Sequence, residues 1–416
     1  MKIIEGKFNT AKVFTDNIDE NCTNQIKGIL DLEIFKDSQI RIMPDCHAGA
    51  GCVIGFTANL GDKIIPNIVG VDIGCGMLTI ELGKIDIDYN KLDQLIRKYV
   101  PSGMSVHDGR LIRFPKIQDM YCYRELNDTK HLERSIGTLG GGNHFIEIDK
   151  DEYDNKYLII HSGSRNLGKQ TAEIYQKIAT GLHSGKEEMW LEQERIIKKY
   201  KETGRRQEIQ EAIKELHRQF KSTALDMPLE YCFLHGQYTE RYLHDMRICQ
   251  DFADVNRMMI AKLIIDNYGF TPVDGFTTVH NYIDYNSNII RKGAVSAKKD
   301  EKLLIPINMR DGSLLCIGKG NSDWNESAPH GAGRIYSRSQ AKQMFTVEYF
   351  QKTMNEAGVF STSIKSSTLD ESPMAYKGMD DIIDNIKDTV EIISHLKPVY
   401  NFKADDDKPY WVKDKE

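Results

Sequence analysis

The chain has 416 residues, of which 40% are hydrophobic and 28% charged, and its formal net charge is −6. That acidic balance argues against broad nonspecific nucleic-acid binding, while leaving room for a locally basic site. No run of about 18 apolar residues occurs, and the opening MKIIEGKFNTAKVF lacks the apolar core of a signal peptide. No membrane span is expected, and a cytoplasmic location follows. The eight cysteines form no CxxC pair, so free thiols are expected rather than a disulfide framework.

Residues 1 to about 80 read as strands punctuated by glycine: QIRIMPD, GCVIGFTANL and IIPNIVGVDIGCGMLTIEL. YNKLDQLIRKY (89–99) has helical spacing, with Leu92, Leu95 and Ile96 on one face. GTLGGGNHFIEID and KYLIIHSGSRNLG each join a short strand to a glycine-rich turn. Residues 186–222 are dense in charge with apolar residues at helical spacing (Ile209, Ile213, Leu216, Phe220), which predicts a helical hairpin turning near Thr203-Gly204. Its Arg205-Arg206 pair reads as a solvated face. A further helical stretch covers 226–267. Strands follow at GFTTVHNYID, NIIRKGAVSA and LLIPINMRDGSLLCIG, and MDDIIDNIKDTVEIISHLK (379–397) reads as a closing helix before an acidic tail. With no internal repeat or low-complexity linker, the expectation is one α+β domain over 1–416. It has central β-sheets, glycine-rich site loops, a helical insertion at 186–222 and a C-terminal extension at 404–416.

Several residues with metal-ligand chemistry sit at strand ends or in glycine turns: Asp72 and Cys75 in VDIGCGM, His144 in GGGNHF, His161 in IIHSGSR and His280 in TVHNY. Manganese, zinc and iron all accept carboxylate, thiolate and imidazole. Cys75, between two glycines, is accessible enough to bridge two ions. Each residue alone is more often packed core than a ligand; the repeated glycine framing is what points to a shared cleft. A different signal comes from PHGAGRIYSR (329–338), where His330 has small residues on one side and Arg334 and Arg338 close behind. That pattern suits the approach of a large anion.

MPDCHAGAGCVIG (43–55), VGVDIGCGM (69–77), GTLGGGNHFIEI (137–148), HSGSRNLG (161–168), HNY (280–282), RKGAVSA (291–297) and PHGAGRIYSR (329–338) together resemble the RtcB family of RNA ligases. The resemblance runs through most of the chain, with the motifs in the family's order. It implies a GTP- and manganese-dependent ligase joining an RNA 3′-phosphate or 2′,3′-cyclic phosphate end to a 5′-hydroxyl end. His330 would be the nucleophile that takes up GMP, with Gly331, Ala332 and Gly333 keeping its path to the α-phosphate open. Two manganese ions would be held by Asp72, Cys75, His144, His161 and His280, sharing the cysteine. Asn143 would contact the α-phosphate. Arg165 and Lys292 would surround the phosphates and RNA end, and Arg334 and Arg338 would neutralise phosphate charge. Glu147 would read guanine, Tyr376 would stack on it, and Lys403 corresponds to the family's near-terminal lysine. Asp45 lies in a further motif near the site.

Two departures stand out. The loop before the nucleophile reads PINMRDGSLLCIG (306–318), where the family has PGSMG and a serine-containing stretch, so Ser313 is the residue left to contact the nucleotide. The chain also continues past Lys403, where family members commonly end with a glycine. Both departures together point to a paralogous branch, for repair of damaged RNA rather than tRNA splicing. A monomer is expected, and the need for an accessory activator stays open. Two other functions use the same residues: a dinuclear metal phosphoesterase acting on RNA, and a non-catalytic RNA-end-binding protein. Neither calls for a nucleophilic histidine in a glycine frame.

Overall fold

Runs rich in β-branched and aliphatic residues build two sheets, and the catalytic-type motifs fall at their ends. The computed structural model describes residues 1–404 apart from 222 and 226, so 405–416 of the expected extension lie outside the described residues. The larger sheet has seven antiparallel strands, in the spatial order Lys302–Asn308, Gly312–Gly318, Val390–Lys403, Phe145–Lys150, Lys156–Ser162, Gly76–Gly83 and Asp274–Val279. The strand KYLIIHS is buried along its whole length, as its unbroken apolar run requires. The second sheet has six strands, in the order Lys2–Glu5, Thr10–Val13, Ile40–His47, Ile54–Asn59, Ile289–Lys292 and Asn281–Asp284. Only its second and third strands run parallel to each other. A two-stranded ribbon, Ala294–Ser296 with Ser327–Pro329, leads directly into His330.

The 32-residue helix Gln237–Tyr268 lies behind the metal-ligand motifs, and fourteen of its side chains are buried. Helices Lys186–Glu202 and Ile209–Gln219 pack on each other, and neither buries any residue fully. Gly204 beside their turn has a φ of +74°, a backbone region that suits glycine.

Three predicted elements differ in the structure; of the helical stretch expected over 226–267, the α-helix begins only at Gln237. The helix read over 379–397 stops at Ile386, and Val390–Lys403 is a 14-residue strand instead. The cause is both local and tertiary. Val390, Ile392 and Ile393 lose side-chain freedom in a helix, and the segment fills the slot between Gly312–Gly318 and Phe145–Lys150. The strand signal over IIPNIVG is interrupted by a short helix, Pro66–Val69, which begins on its proline and ends at Gly70 with φ +89°.

Candidate active site

Cys75 reaches the site on a turn that tolerates only glycine at its flanks. A Cβ on Gly74 would lie 3.0 Å from Ala253 Cβ, and one on Gly76 only 2.6 Å from the Thr278 carbonyl oxygen. Pressed between the long helix and the neighbouring strand, the turn delivers a buried thiol to the mouth of the larger sheet.

Around that thiol two ligand sets meet: Asp72, Cys75 and His144 in one, Cys75, His161 and His280 in the other, each with its donor atoms within 4.8 Å of one another. Cys75 Sγ lies 3.4 Å from His144 Nε2 and 3.3 Å from His161 Nε2. His144 Nε2 is 3.0 Å from Asp72 Oδ2, and His161 Nε2 is 3.4 Å from His280 Nε2. Two of the three far ring nitrogens are tied down, while that of His280 is buried without a hydrogen-bond partner: His144 Nδ1 donates to the Leu139 carbonyl at 2.8 Å, and His161 Nδ1 to that of Asn143 at 3.2 Å. Such ties fix the tautomer and turn Nε2 toward a cation. Burial holds His161 and His280 well below the ordinary imidazole range, so both are neutral. Burial opposes ionisation of Asp72, but the His144 contact, with Cys75 and Arg165, brings its carboxyl down to about 2. One carboxylate, one thiol and three imidazoles, most of them buried, are a donor set that fits two borderline divalent ions sharing a sulfur.

The cluster opens into a cavity of about 330 Å³, a size suited to a small-molecule site. His330 stands on its wall with its ring centre 4.9 Å from that of His280. Asp45, fully buried, accepts from His330 Nδ1 at 2.6 Å and from the His330 backbone N–H at 3.2 Å. With Nδ1 carrying the shared proton, Nε2 presents the lone pair.

Further along the wall lies a cationic end built around an unforeseen acid, Glu371. It accepts from Lys403 Nζ at 2.8 Å and from the Tyr376 hydroxyl at 2.6 Å, and pairs with Arg338 at 2.7 Å and Arg334 at 3.3 Å. Burial works against its charge, but the cations outweigh it and hold its carboxyl down at about 2. Burial and Glu371 push the Tyr376 hydroxyl far up, so it remains a donor. Arg334 also lies 5.0 Å over the Tyr376 ring. Glu147 faces the same cavity, held by Asn401 Nδ2 at 2.5 Å, and burial raises its carboxyl to about 7.

Thus the cavity gathers Asp72, Cys75, Asn143, Glu147, His161, His280, His330, Arg334, Arg338, Tyr376 and Lys403, with His144 against Asp72 and Cys75. Three predicted contacts stand back from its wall. Ser313 is fully buried in its strand, and the loop meets the cavity through Pro306–Met309 and Gly312 instead. Lys292 Nζ donates to the Ala50 and Asn67 carbonyls at 2.7 and 3.0 Å. Arg165 donates to Thr138 Oγ1 and the Gly103 carbonyl, each at 3.1 Å. His47, which the sequence reading passes over although Ala48, Gly49, Ala50 and Gly51 follow it, does line the cavity.

Sequence reading also passes over Asn256 and Arg257, which lie behind the ligands on the long helix. Arg257 Nη1 donates to the carbonyls of Gly74 at 2.7 Å and Ser162 at 2.8 Å, the neighbours of Cys75 and His161. Asn256 accepts from the Gly137 and Thr138 N–H groups and donates to Ser162 Oγ and the Gly163 carbonyl. Ser162 Oγ in turn donates to the Leu139 carbonyl, the oxygen that orients His144. Three ligand-bearing segments are thereby fixed to one helix turn. Arg257→Met leaves two buried carbonyls unpaired, and the expected loss is about 3 kcal/mol of folding stability, read from the denaturant midpoint. A midpoint equal to wild type would show that the carbonyls find other donors.

The tRNA-splicing ligase RtcB family model matches residues 25–123 and 115–404. The chain is 30% identical to RNA-splicing ligase RtcB of Escherichia coli (strain K12), over 89% of this chain and 91% of the relative. It is 24% identical to RNA-splicing ligase RtcB2 of E. coli (strain ATCC 25922), covering 87% of this chain and 86% of that one. To tRNA-splicing ligase RtcB of Nanoarchaeum equitans it is 23% identical, over 87% of each chain. The extent of the family match and the 30% identity over nearly the whole length place this chain in the RtcB RNA-splicing ligase family.

Proposed function

We propose that this protein is a GTP- and manganese-dependent RNA ligase that joins 3′-phosphate or 2′,3′-cyclic phosphate ends to 5′-hydroxyl ends. The observation that carries the reading is His330: an imidazole fixed by a buried carboxylate at 2.6 Å, its ring centre 4.9 Å from that of His280 in one of the two ligand sets. His330 Nε2 attacks the α-phosphorus of GTP, pyrophosphate leaves, and Asp45 stabilises the charge that develops on the ring. The GMP then passes to the RNA 3′-phosphate, and the 5′-hydroxyl displaces it. Asp72, Cys75, His144, His161 and His280 would hold two manganese ions, which supply Lewis-acid stabilisation of phosphoryl charge. Arg334, Arg338 and Lys403 offset the charge of the triphosphate and RNA end. Glu147, with Tyr376 across the cavity, is suited to the donor edge and face of guanine.

The test is incubation with α-labelled GTP and Mn²⁺, followed by denaturation. Label that stays on the denatured protein, is released by acid, and is absent when 3′-phosphate RNA is added before denaturation supports the reading. Metal-dependent RNA hydrolysis without protein labelling would make the protein a phosphoesterase. Binding without either reaction would make it a non-catalytic RNA-end binder.

A further inference from the structure

We propose that His47 is the general base of the joining step, taking the proton of the RNA 5′-hydroxyl. The inference rests on the ligase reading above and assigns a role to the one cavity-lining imidazole that the reading leaves unused. Among the described residues, four imidazoles line the cavity: His47, His161, His280 and His330. Two of them belong to the ligand sets, and His330 is held by Asp45 as nucleophile.

The carboxylates and the tyrosine on the wall are already engaged. Asp72 contacts His144, Glu147 is bound by Asn401, and Glu371 is surrounded by Lys403, Arg334, Arg338 and the Tyr376 hydroxyl. His47 differs. Its Nδ1 lies 3.0 Å from the Asp45 carbonyl oxygen, a pure acceptor, so Nδ1 carries the proton and Nε2 the lone pair. Asp45 and His47 stand two residues apart at the end of the strand Ile40–His47, where its pairing with Ile54–Asn59 is irregular. One residue therefore orients two imidazoles: Asp45 fixes His330 through its carboxylate and His47 through its carbonyl. The turn that carries His330 presses on the same point, since a Cβ on Gly333 would lie 2.3 Å from the Asp45 carbonyl oxygen.

The step balances within the substrates. The 5′-oxygen forms its bond to the phosphorus of the activated RNA 3′-end, and its proton moves to His47 Nε2. The phosphorus–oxygen bond to GMP breaks, GMP leaves with the electron pair, and the imidazolium returns its proton to solvent. The charged surroundings favour neutral His47: burial disfavours its protonated form, and His330 and Lys377 add to that, while the Asp45 carbonyl and carboxylate oppose them. Lys377 is held nearby, donating to the Pro44 and Cys46 carbonyls.

The experiment uses full-length protein, with His47→Ala and His47→Gln compared in two half-reactions. Positioned proton acceptors contribute roughly 10²–10⁴-fold, so joining of RNA already carrying a 3′-guanylyl end should slow at least about 100-fold in both variants. The wild-type joining rate should fall as pH drops through a value below the ordinary imidazole range, and the variants should lack that limb. Added imidazole should restore part of the joining rate to His47→Ala. Protein labelling by GTP should proceed in both, because it uses Asp45 and His330.

Joining at the wild-type rate with an unchanged pH profile would overturn the proposal. Equal loss of labelling and joining would also overturn it, by showing that His47 only supports Asp45 and His330. Wild-type protein that takes no label would instead remove the ligase reading itself.

Discussion

Cys75→Ala is expected to take away both metal sites at once and, with them, protein labelling by GTP. The thiol is the one donor common to the two ligand sets. Replacing a terminal donor such as His280 leaves Asp72, Cys75 and His144 together, whereas losing Cys75 leaves two residues in each set. Outer partners of a metal ligand commonly cost 10–100-fold in affinity, so loss of a bridging ligand should cost at least about 100-fold. The fold should survive, since a small buried truncation costs about 1 kcal/mol. Manganese per chain after dialysis, set beside the circular dichroism spectrum, gives the answer. Metal content equal to wild type would end the idea that the cysteine is shared.

His330→Ala is expected to eliminate the protein–GMP adduct and all joining of 3′-phosphate ends. It should still join RNA supplied with a 3′-guanylyl end, because that step requires the cluster and the cationic wall but no nucleophilic imidazole. His330→Asn keeps polarity and approximate size while removing the reactive nitrogen, and should behave alike. An acid-labile adduct surviving in either variant would move the nucleophile elsewhere. Lys292 is then the first residue to replace, although its ammonium donates to two carbonyls in the present arrangement. The His330 and His47 variants are therefore expected to fail in opposite half-reactions.

The candidate ligands are legible because each announces itself locally: a carboxylate, thiol or imidazole inside a few glycines, as at Cys75 and His144. A glycine flank is a short-range signal with a steric cause, and the Gly74 and Gly76 clearances show it. What escaped the sequence is relational. Asp45 and His330 are 285 residues apart, and nothing in MPDCH or PHGAGR says that one holds the other. Glu371 looks like any acid in DESPMAYK until three cations and a hydroxyl converge on it. Asn256 and Arg257 sit in an ordinary helical pattern, and their work is done by reaching other segments' carbonyls. The strand at 390–403 is hidden for a related reason: its helical-looking continuation of MDDIIDNI is settled by the gap between two strands far away in sequence.

That same strand has a consequence for how the protein comes into being on the ribosome. Val390–Lys403 is among the last described segments to be synthesised, yet it occupies an interior position, third of seven. Its final residues supply Asn401 to Glu147, Lys403 to Glu371 and, just beyond, the Ala404 N–H to the His144 carbonyl. Before it emerges, Gly312–Gly318 and Phe145–Lys150 have no common partner, and each presents an open edge of the kind that invites pairing with other chains. A nascent chain halted before residue 390 would thus carry His330 and all five metal-ligand candidates but lack the piece that joins the sheet. Competence would come only once residues 390–403 have been synthesised, and a chain ending before them would present two sticky edges to chaperones or proteases.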